Sequence, residues 1–213
     1  LLEEATKSSR ESLDLFAAFA NDTNKHENDQ KRKKGIVAPT PFCFITGSGR
    51  QYFLDFVRQL LERIDEVKVK SALFEYWEYN DEGLSMRWDP AEARRYALMD
   101  QDPAPIGSRT VWMANLLAYR ALALFPSAPR RARLATSGWS RHGGEDVFTW
   151  ALWRGLLSPD SARSLLLLPA LHQYRSDHSE LHARGVQAVF RSRRIKVGTG
   201  ANFKINFSPA RQI

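Results

Sequence analysis

The spacing of apolar side chains predicts several helices. Over residues 53–64 these side chains recur three and four positions apart with charged side chains between them, which is typical of an amphipathic helix packed on a core. Residues 1–20 have a looser apolar face of the same period, whereas residues 110–125 are apolar on nearly every side and are expected to be buried. Capping residues predict three shorter helices, which begin at Asp89-Pro90, at Ser158-Pro159 and at Asp177.

Extended segments are predicted where apolar and aromatic side chains are bounded by turn residues. The first is a buried strand at residues 42–45, and the second is a hairpin whose strands, 73–79 and 84–88, flank a polar turn. The remaining predicted strands are residues 131–139 and 147–153, paired across the turn His142-Gly143-Gly144, and residues 186–197 and 202–207.

These elements alternate without a regular βαβ rhythm, which predicts an α+β fold with mixed helices and antiparallel hairpins around one core. Residues 1–34 are interpreted as a helical segment followed by a polar linker that ends in the basic run Lys31-Arg32-Lys33-Lys34. Residues 35–213 are interpreted as a single α+β domain.

Composition narrows the class of protein and its compartment. Cys43 is the only cysteine, so no internal disulfide can form and the reducing cytoplasm is the expected location. No apolar run approaches the length of a membrane span, so we expect no membrane partner.

The positive charge is concentrated in the C-terminal half. Residues 101–213 carry 16 Lys and Arg, 14 of them Arg, against 6 Asp and Glu, which leaves a net charge of +10 in a chain whose total is +7. Charge on one part of a chain indicates a polyanionic partner, and guanidinium groups bind phosphate in a bidentate manner. The alternative is that a GC-rich genome supplies arginine wherever a cation is tolerated.

Two basic clusters and a nearby lysine are the predicted nucleic-acid contacts. The first cluster precedes a predicted strand, and the second lies within residues 186–197, where alternation places Arg191 and Arg193 on one face and Arg194 and Lys196 on the other. A strand charged on both faces is expected at a sheet edge or in an extended arm. The predicted contacts are Arg130, Arg131, Arg133, Arg191, Arg193, Arg194, Lys196 and Lys204.

A secondary anion site is predicted at Gly47-Ser48-Gly49 with Arg50. These residues lie between a predicted strand and a predicted helix, where backbone N–H groups favour a phosphate. The segment fits neither a Walker A loop nor a dinucleotide fingerprint. The alternative is a tight turn with a serine cap.

No catalytic, metal or cofactor site is predicted. His178 and His182 have zinc-compatible spacing, but the sequence nominates no third ligand. Cys43 lies in an apolar segment, Ser48 lacks the nucleophile-elbow context, and the acids Asp89, Glu92 and Asp100 lack a nearby lysine. We therefore expect a protein that is not an enzyme.

Seven short segments from about residue 42 onward resemble proteins encoded beside type I-G (formerly I-U) CRISPR effector genes, similar to a large or accessory Cascade subunit. They are Gly47-Ser48-Gly49 with Gln51, Phe53 and Leu54; Trp88-Asp89-Pro90 with Arg95-Tyr96-Ala97-Leu98; Ala114-Asn115-Leu116; Leu124-Phe125-Pro126; Phe148-Thr149-Trp150 with Leu152-Trp153; Gly185-Val186 with Val189-Phe190-Arg191-Ser192; and Asn206-Phe207-Ser208-Pro209-Ala210-Arg211.

The resemblance implies a non-catalytic subunit that contacts crRNA and target DNA, assembles with other protein subunits and helps recruit a separate helicase-nuclease. It identifies no catalytic residue. Two other functions stay open: a defence nuclease that uses distant acids with His142 or His182, and a protein-interaction scaffold that docks a partner through an aromatic hairpin around Tyr76 and Trp77.

Overall fold

The computed structural model describes residues 7, 9–21, 38–44, 53–92, 109–130, 133–173, 178–197 and 204–213. Helices and antiparallel strands are mixed along the chain, which confirms the α+β class. The helices are α1 Arg10–Phe19, α2 Phe53–Leu61, α3 Glu66–Phe74, α4 Trp112–Ala121, α5 Pro159–Leu166, α6 Pro169–His172 and α7 His178–Ala183, with a 3₁₀ helix at Leu122–Leu124. The strands are β1 Ala20–Asn21, β2 Ala38–Pro39, β3 Asp81–Glu82, β4 Arg109–Thr110, β5 Ser127–Arg130, β6 Arg133–Thr136, β7 Trp139–His142, β8 Glu145–Trp153, β9 Val186–Val197, β10 Lys204–Phe207 and β11 Arg211–Gln212.

The chain divides into two compact units. Unit 1 comprises Leu1–Cys43, Ala121–Arg193 and Ala210–Ile213, and unit 2 comprises Phe44–Arg120 and Arg194–Pro209. The domain boundary predicted at residue 34 lies outside the described residues. Among the described helices, none is long and apolar enough to span a bilayer.

Unit 1 is built on an antiparallel sheet in the order β7, β8, β9, β11. Strand β8 alternates as a half-buried strand should, with Val147, Thr149 and Ala151 buried on one face. On that face, Ala151 joins a core formed with residues of α6, α7 and β9. The buried members of this core are Ala151, Ala170, Leu171, Leu181, Val186 and Val189.

The other face of β8 belongs to an aromatic cluster. The Phe148 ring lies 5.2 Å from the buried Phe42 ring and 5.2 Å from the Phe125 ring, both in edge-on arrangements. Trp150 stacks on Phe190 of the neighbouring strand, with ring centroids 5.8 Å apart. Such ring pairs add stability beyond the area they bury, so this cluster is a second core of unit 1.

Unit 2 packs α2 and α4 around apolar side chains. Helix α2 buries Phe53, Val57 and Leu60, as its spacing predicts, but it ends at Leu61 rather than residue 64. The centroid of the Phe53 ring lies 5.7 Å from that of the Trp88 ring and 6.1 Å from that of the Tyr119 ring in α4. Unit 2 also contains the end of β9, residues 194–197, which pairs with β10.

The hairpin predicted at residues 73–88 is wrong. Glu66–Phe74 is a helix, which begins because the Asp65 carboxylate accepts a hydrogen bond from the Lys68 N–H at 2.8 Å. Residues Asp81 and Glu82 pair with Thr110 and Arg109 instead of with residues 84–88. The aromatic side chains of residues 74–79 have a high strand propensity, which led to the hairpin prediction. The N-cap at Asp65 begins a helix that includes Leu73 and Phe74, and Asp81 and Glu82 have a partner strand that is distant in sequence.

Three other strand predictions are corrected. Residues 42–44 are a turn and irregular chain, with the Cys43 N–H donating to Thr40 O, and residue 45 lies outside the described residues. The predicted strand 131–139 is divided by a turn at Ser137-Gly138, so residues 139–142 are the partner of β8. For β9, the expected edge or arm is contradicted only at Phe190 and Arg191, which pair with β8 on one side and with β11 on the other, whereas residues 194–197 pair with β10 alone among the described strands.

Candidate nucleic-acid interface

The first arginine cluster lies at the closed end of the β5–β6 hairpin. Arg130 and Arg133 are register partners in the antiparallel pair, and only residues 131 and 132 connect them along the chain. At the open end, the hydroxyls of Ser127 and Thr136 share a hydrogen bond of 2.7 Å. Arg131 lies outside the described residues, as do the side chains of Arg130 and Arg133. The hairpin therefore holds the backbone of Arg130 and Arg133 together at the end of a two-stranded ribbon.

Arg191 in the second cluster has a structural role. Arg191 is the register partner of Thr149 on β8. It lies on the same face of the sheet as Val189 and Ala151, against which α6 packs. Its Nη2 donates to the carbonyl of Leu171 at 3.1 Å and also to that of Gln173. Burial lowers the pKa of Arg191. These two bonds satisfy carbonyl groups at the end of α6, where no further helical turn supplies donors.

Arg193 lies two residues further along the same face and pairs with a carboxylate. Its Nη1 is 3.1 Å from both carboxylate oxygens of Glu145. Each side chain of the pair is about half exposed, at 49% and 51%. Arg193 therefore remains at the surface, where an ion pair contributes little to stability and a phosphate can compete for the guanidinium.

Arg194 and Lys196 belong to unit 2. The Arg194 guanidinium carbon lies 5.6 Å from the centroid of the Phe44 ring, and Phe44 in turn packs on Phe207 at 4.7 Å. Arg194 thus covers an aromatic pair of the core by a cation–π contact. Lys196 is exposed and lies opposite Ile205 in the register.

The other predicted contacts are described only in part. Lys204 is the register partner of Val197 in β10, and its side chain lies outside the described residues. The turn Gly47-Ser48-Gly49 and Arg50 lie outside them entirely. The secondary anion site therefore stays a prediction.

Two histidines lie in the electrostatic field of Arg191. His172 Nε2 donates to the carbonyl of Leu166 at 2.8 Å, and His142 Nε2 lies 2.9 Å from the Ser140 hydroxyl. Burial lowers the pKa of each histidine, and the positive charge of Arg191 lowers it further. Burial and Arg191 thus favour the neutral imidazole, while for His172 the hydrogen bond to the Leu166 carbonyl acts in the opposite direction.

Sequence reasoning missed a buried polar network in unit 2. The Glu92 carboxylate, whose residue is only 6% exposed, accepts hydrogen bonds from the hydroxyls of Ser85 and Thr110, the latter at 2.5 Å. Asn115 Nδ2 donates to the Thr110 hydroxyl at 2.8 Å, and its Oδ1 accepts from the Met86 N–H at 3.0 Å. Burial raises the pKa of Glu92, and the hydroxyl hydrogen bonds oppose that effect. A glutamate just after Pro90 resembles an ordinary first-turn acid, so no local signal reveals its burial.

The capping prediction nearby is confirmed. Asp89 Oδ1 accepts a hydrogen bond from the Ala91 N–H at 2.8 Å, and a helical turn begins at Pro90. The other Asp89 oxygen accepts from the Tyr79 hydroxyl. Within the described ranges, no group of three or more His, Cys, Asp and Glu is arranged to hold a metal ion.

No protein-family model, curated protein or solved structure matches this chain.

Proposed function

We propose that this protein is a non-catalytic, cytoplasmic nucleic-acid-binding subunit of an RNA-guided CRISPR surveillance complex. In this role it contacts the backbone of crRNA or target DNA, assembles with other subunits and helps recruit a separate helicase-nuclease. Base pairing with the guide reads most of the target sequence in such complexes, so the protein needs phosphate contacts more than base contacts. The resemblance of seven segments to type I-G effector proteins supports this assignment.

The observation that carries the proposal is the charge of +10 on residues 101–213. Several cations of this half have carboxylate partners within the chain, including Arg163 with Asp14, Arg184 with Glu180 and Arg193 with Glu145. With 16 cations against 6 acids, the segment as a whole keeps a net positive charge, which favours a polyanionic partner.

The described contacts divide the predicted residues into two groups. Arg191 and Arg194 support the fold through the carbonyls at the end of α6 and the Phe44 ring. The groups proposed to contact phosphate are Arg130, Arg131, Arg133, Arg193, Lys196 and Lys204, with Arg50 and the glycine turn as a second site. Contacts of cationic side chains to phosphate hold a nucleic-acid backbone without reading bases.

Salt-dependent binding of single-stranded nucleic acid tests the hairpin assignment. The triple variant R130A/R131A/R133A removes three proposed phosphate contacts, and each contact to a single strand contributes about 0.7 to the slope of log K against log salt. We expect the slope to fall by about two and the affinity at low salt to fall at least tenfold. The measurement is fluorescence anisotropy with a labelled 20-nucleotide DNA at four salt concentrations.

The matched control is K7A/R10A/K70A, which removes the same charge outside residues 101–213. If this control weakens binding as much as the hairpin variant does, the effect is one of net charge and the assignment is rejected.

The role in a complex is tested separately by isolating the native particle from its source and sequencing co-purified RNA. A native particle that contains no guide RNA would overturn the proposed role in an RNA-guided complex.

A further inference from the structure

Unit 2 exposes an apolar patch on and around α3. Large side chains are normally turned toward a core, yet in this stretch Tyr76 is 97% exposed and Phe74 is 78% exposed. Of the residues of α3, only Ala72 is buried. The residues that form the apolar patch are Leu61, Ile64, Val67, Leu73, Phe74 and Tyr76.

The patch combines one side of α3 with residues before and after the helix. Val67 and Phe74 are seven residues apart, so they project from the same side of α3, and Ala72 points the other way into the unit. Beyond the helix, Trp77 Nε1 donates to the Ala72 carbonyl at 2.9 Å, which ties the following segment back against α3. That bond holds the backbone next to Tyr76 close to the last turn of α3.

The charge around the patch is opposite to that of the protein as a whole. Residues 61–82 contain seven Asp and Glu against three Lys and Arg, a net charge of −4 in a chain of +7. Two of the three cations are directed at Trp112, since the Arg63 guanidinium lies 5.2 Å and the Lys68 ammonium 4.8 Å from its ring. Lys68 also pairs with Asp81 at 2.6 Å. Two of the acids pair with cations outside this stretch, Glu62 with Arg58 and Glu82 with Arg109. The exposed acids nearest the patch are Glu66 at the start of α3 and Glu75 directly after it, so the charge close to the patch is negative.

We infer that the apolar patch docks a basic amphipathic helix of another protein. The apolar side of α3 provides the contact area, and complementary charge around it selects a cationic partner. The same carboxylates repel a phosphate backbone, so this surface is unsuited to nucleic acid. The inference is independent of the nucleic-acid proposal, because it concerns a different surface and a different class of ligand.

A pair of designed peptides tests this inference on the full chain. The first probe is an 18-residue amphipathic Leu/Lys helix, and the second is a Leu/Glu helix with the same apolar pattern. We expect the Leu/Lys peptide to bind at least tenfold more tightly than the Leu/Glu peptide in fluorescence anisotropy at physiological salt. Equal binding of the two peptides would overturn the inference, because the carboxylates close to the patch would then have no selective role.

Variants then locate the site. F74S/Y76S removes apolar area and E75K/E78K reverses the charge close to the patch, and each should weaken Leu/Lys binding at least fivefold. Their matched controls are L156S/L167S, which alters exposed leucines of unit 1, and D146K/D160K, which makes the same change of charge elsewhere. The affinity of each control variant for the Leu/Lys peptide should stay within twofold of that of the unmodified protein. Because the four substituted side chains of the patch variants, Phe74, Glu75, Tyr76 and Glu78, are exposed, circular dichroism should show an unchanged fold.

Three further outcomes would reject the inference. The first is that the controls lower peptide binding as much as the patch variants do. The second is that F74S/Y76S converts a self-associated protein into a monomer in sedimentation, which would make a second copy the occupant. The third is that F74S/Y76S abolishes binding of single-stranded DNA while the hairpin arginine variant does not.

Discussion

Arg193 of β9 donates from Nη1 to both carboxylate oxygens of Glu145, the first residue of β8, at 3.1 Å each. The two residues are 48 positions apart in sequence and are brought together by the antiparallel register of β8 and β9. Because both side chains are about half exposed, water screens the pair and its contribution to stability is about 0–1 kcal/mol. The pair therefore places a competing anion beside a residue proposed to contact phosphate.

The variant E145Q should strengthen binding of single-stranded DNA about two- to threefold, since it removes the carboxylate that competes for Arg193. The free energy of unfolding should change by less than about 0.5 kcal/mol, as expected for an exposed pair. Anisotropy titration and urea denaturation measure the two effects. The control is E180Q, which alters the exposed Arg184–Glu180 pair of unit 1. An equal gain in E180Q would show that net charge alone is responsible.

The variant R191A should lose stability rather than affinity. Removing the guanidinium leaves the part-buried carbonyl of Leu171 without this donor, which costs about 0.5–1.5 kcal/mol, whereas the exposed Gln173 carbonyl can bond to water. R193A, on the same strand and with the same change of charge, is the matched control and should unfold nearly like the unmodified protein. Urea denaturation measures the free energy of unfolding of each variant. An R191A protein of normal stability but weak DNA binding would contradict the structural role.

Glu92 should make the stability of unit 2 depend on pH. Burial raises the pKa of Glu92 above its ordinary value of 4.5, so the folded state holds the proton more tightly than the unfolded state does. This contribution to stability is fully present below pH 4.5 and is lost as the pH rises through the folded-state pKa. The variant E92Q cannot ionise and should show a smaller loss of stability between pH 4.5 and pH 7.

Urea denaturation at several pH values measures this effect, with E75Q as a control at an exposed carboxylate of the same unit. An E92Q protein with the pH dependence of the unmodified protein would count against the assignment. The variant E92A should be destabilised at every pH by about 1–3 kcal/mol, because the hydroxyls of Ser85 and Thr110 would lose their shared acceptor.

Gly138 should not tolerate a side chain. Its φ is +80°, and a Cβ atom would lie 2.6 Å from Cε2 of Phe148 and 3.0 Å from Cδ1 of Phe125. Gly144 has a similar φ of +87° but has nothing within 4 Å of the Cβ position. Both alanine variants incur backbone strain of about 1–2 kcal/mol, and G138A should lose about 1–3 kcal/mol more through overpacking. Equal destabilisation in urea would show that the aromatic cluster can adjust.

Local patterns predicted the elements that depend on neighbours in sequence. The period of α2, the apolar character of α4 and the caps at Asp89 and Ser158 are confirmed, since each is set within one or two helical turns. The hairpin at residues 73–88 failed because strand propensity depends on a partner strand, and that partner proved to be distant in sequence. Long-range pairing of this kind leaves no period in the sequence.

The amino-acid sequence by itself determined the class of fold, the long strand β9 and the concentration of arginine in the C-terminal half. Tertiary structure alone decided which of those arginines serve the fold, because the register of β8, β9 and β10 places Arg191 beside the end of α6 and Arg194 over Phe44. It also decided that Glu92 is buried and that Phe74 and Tyr76 are exposed. Periodicity specifies the side of an element on which a residue lies, whereas packing between distant elements decides what covers that side.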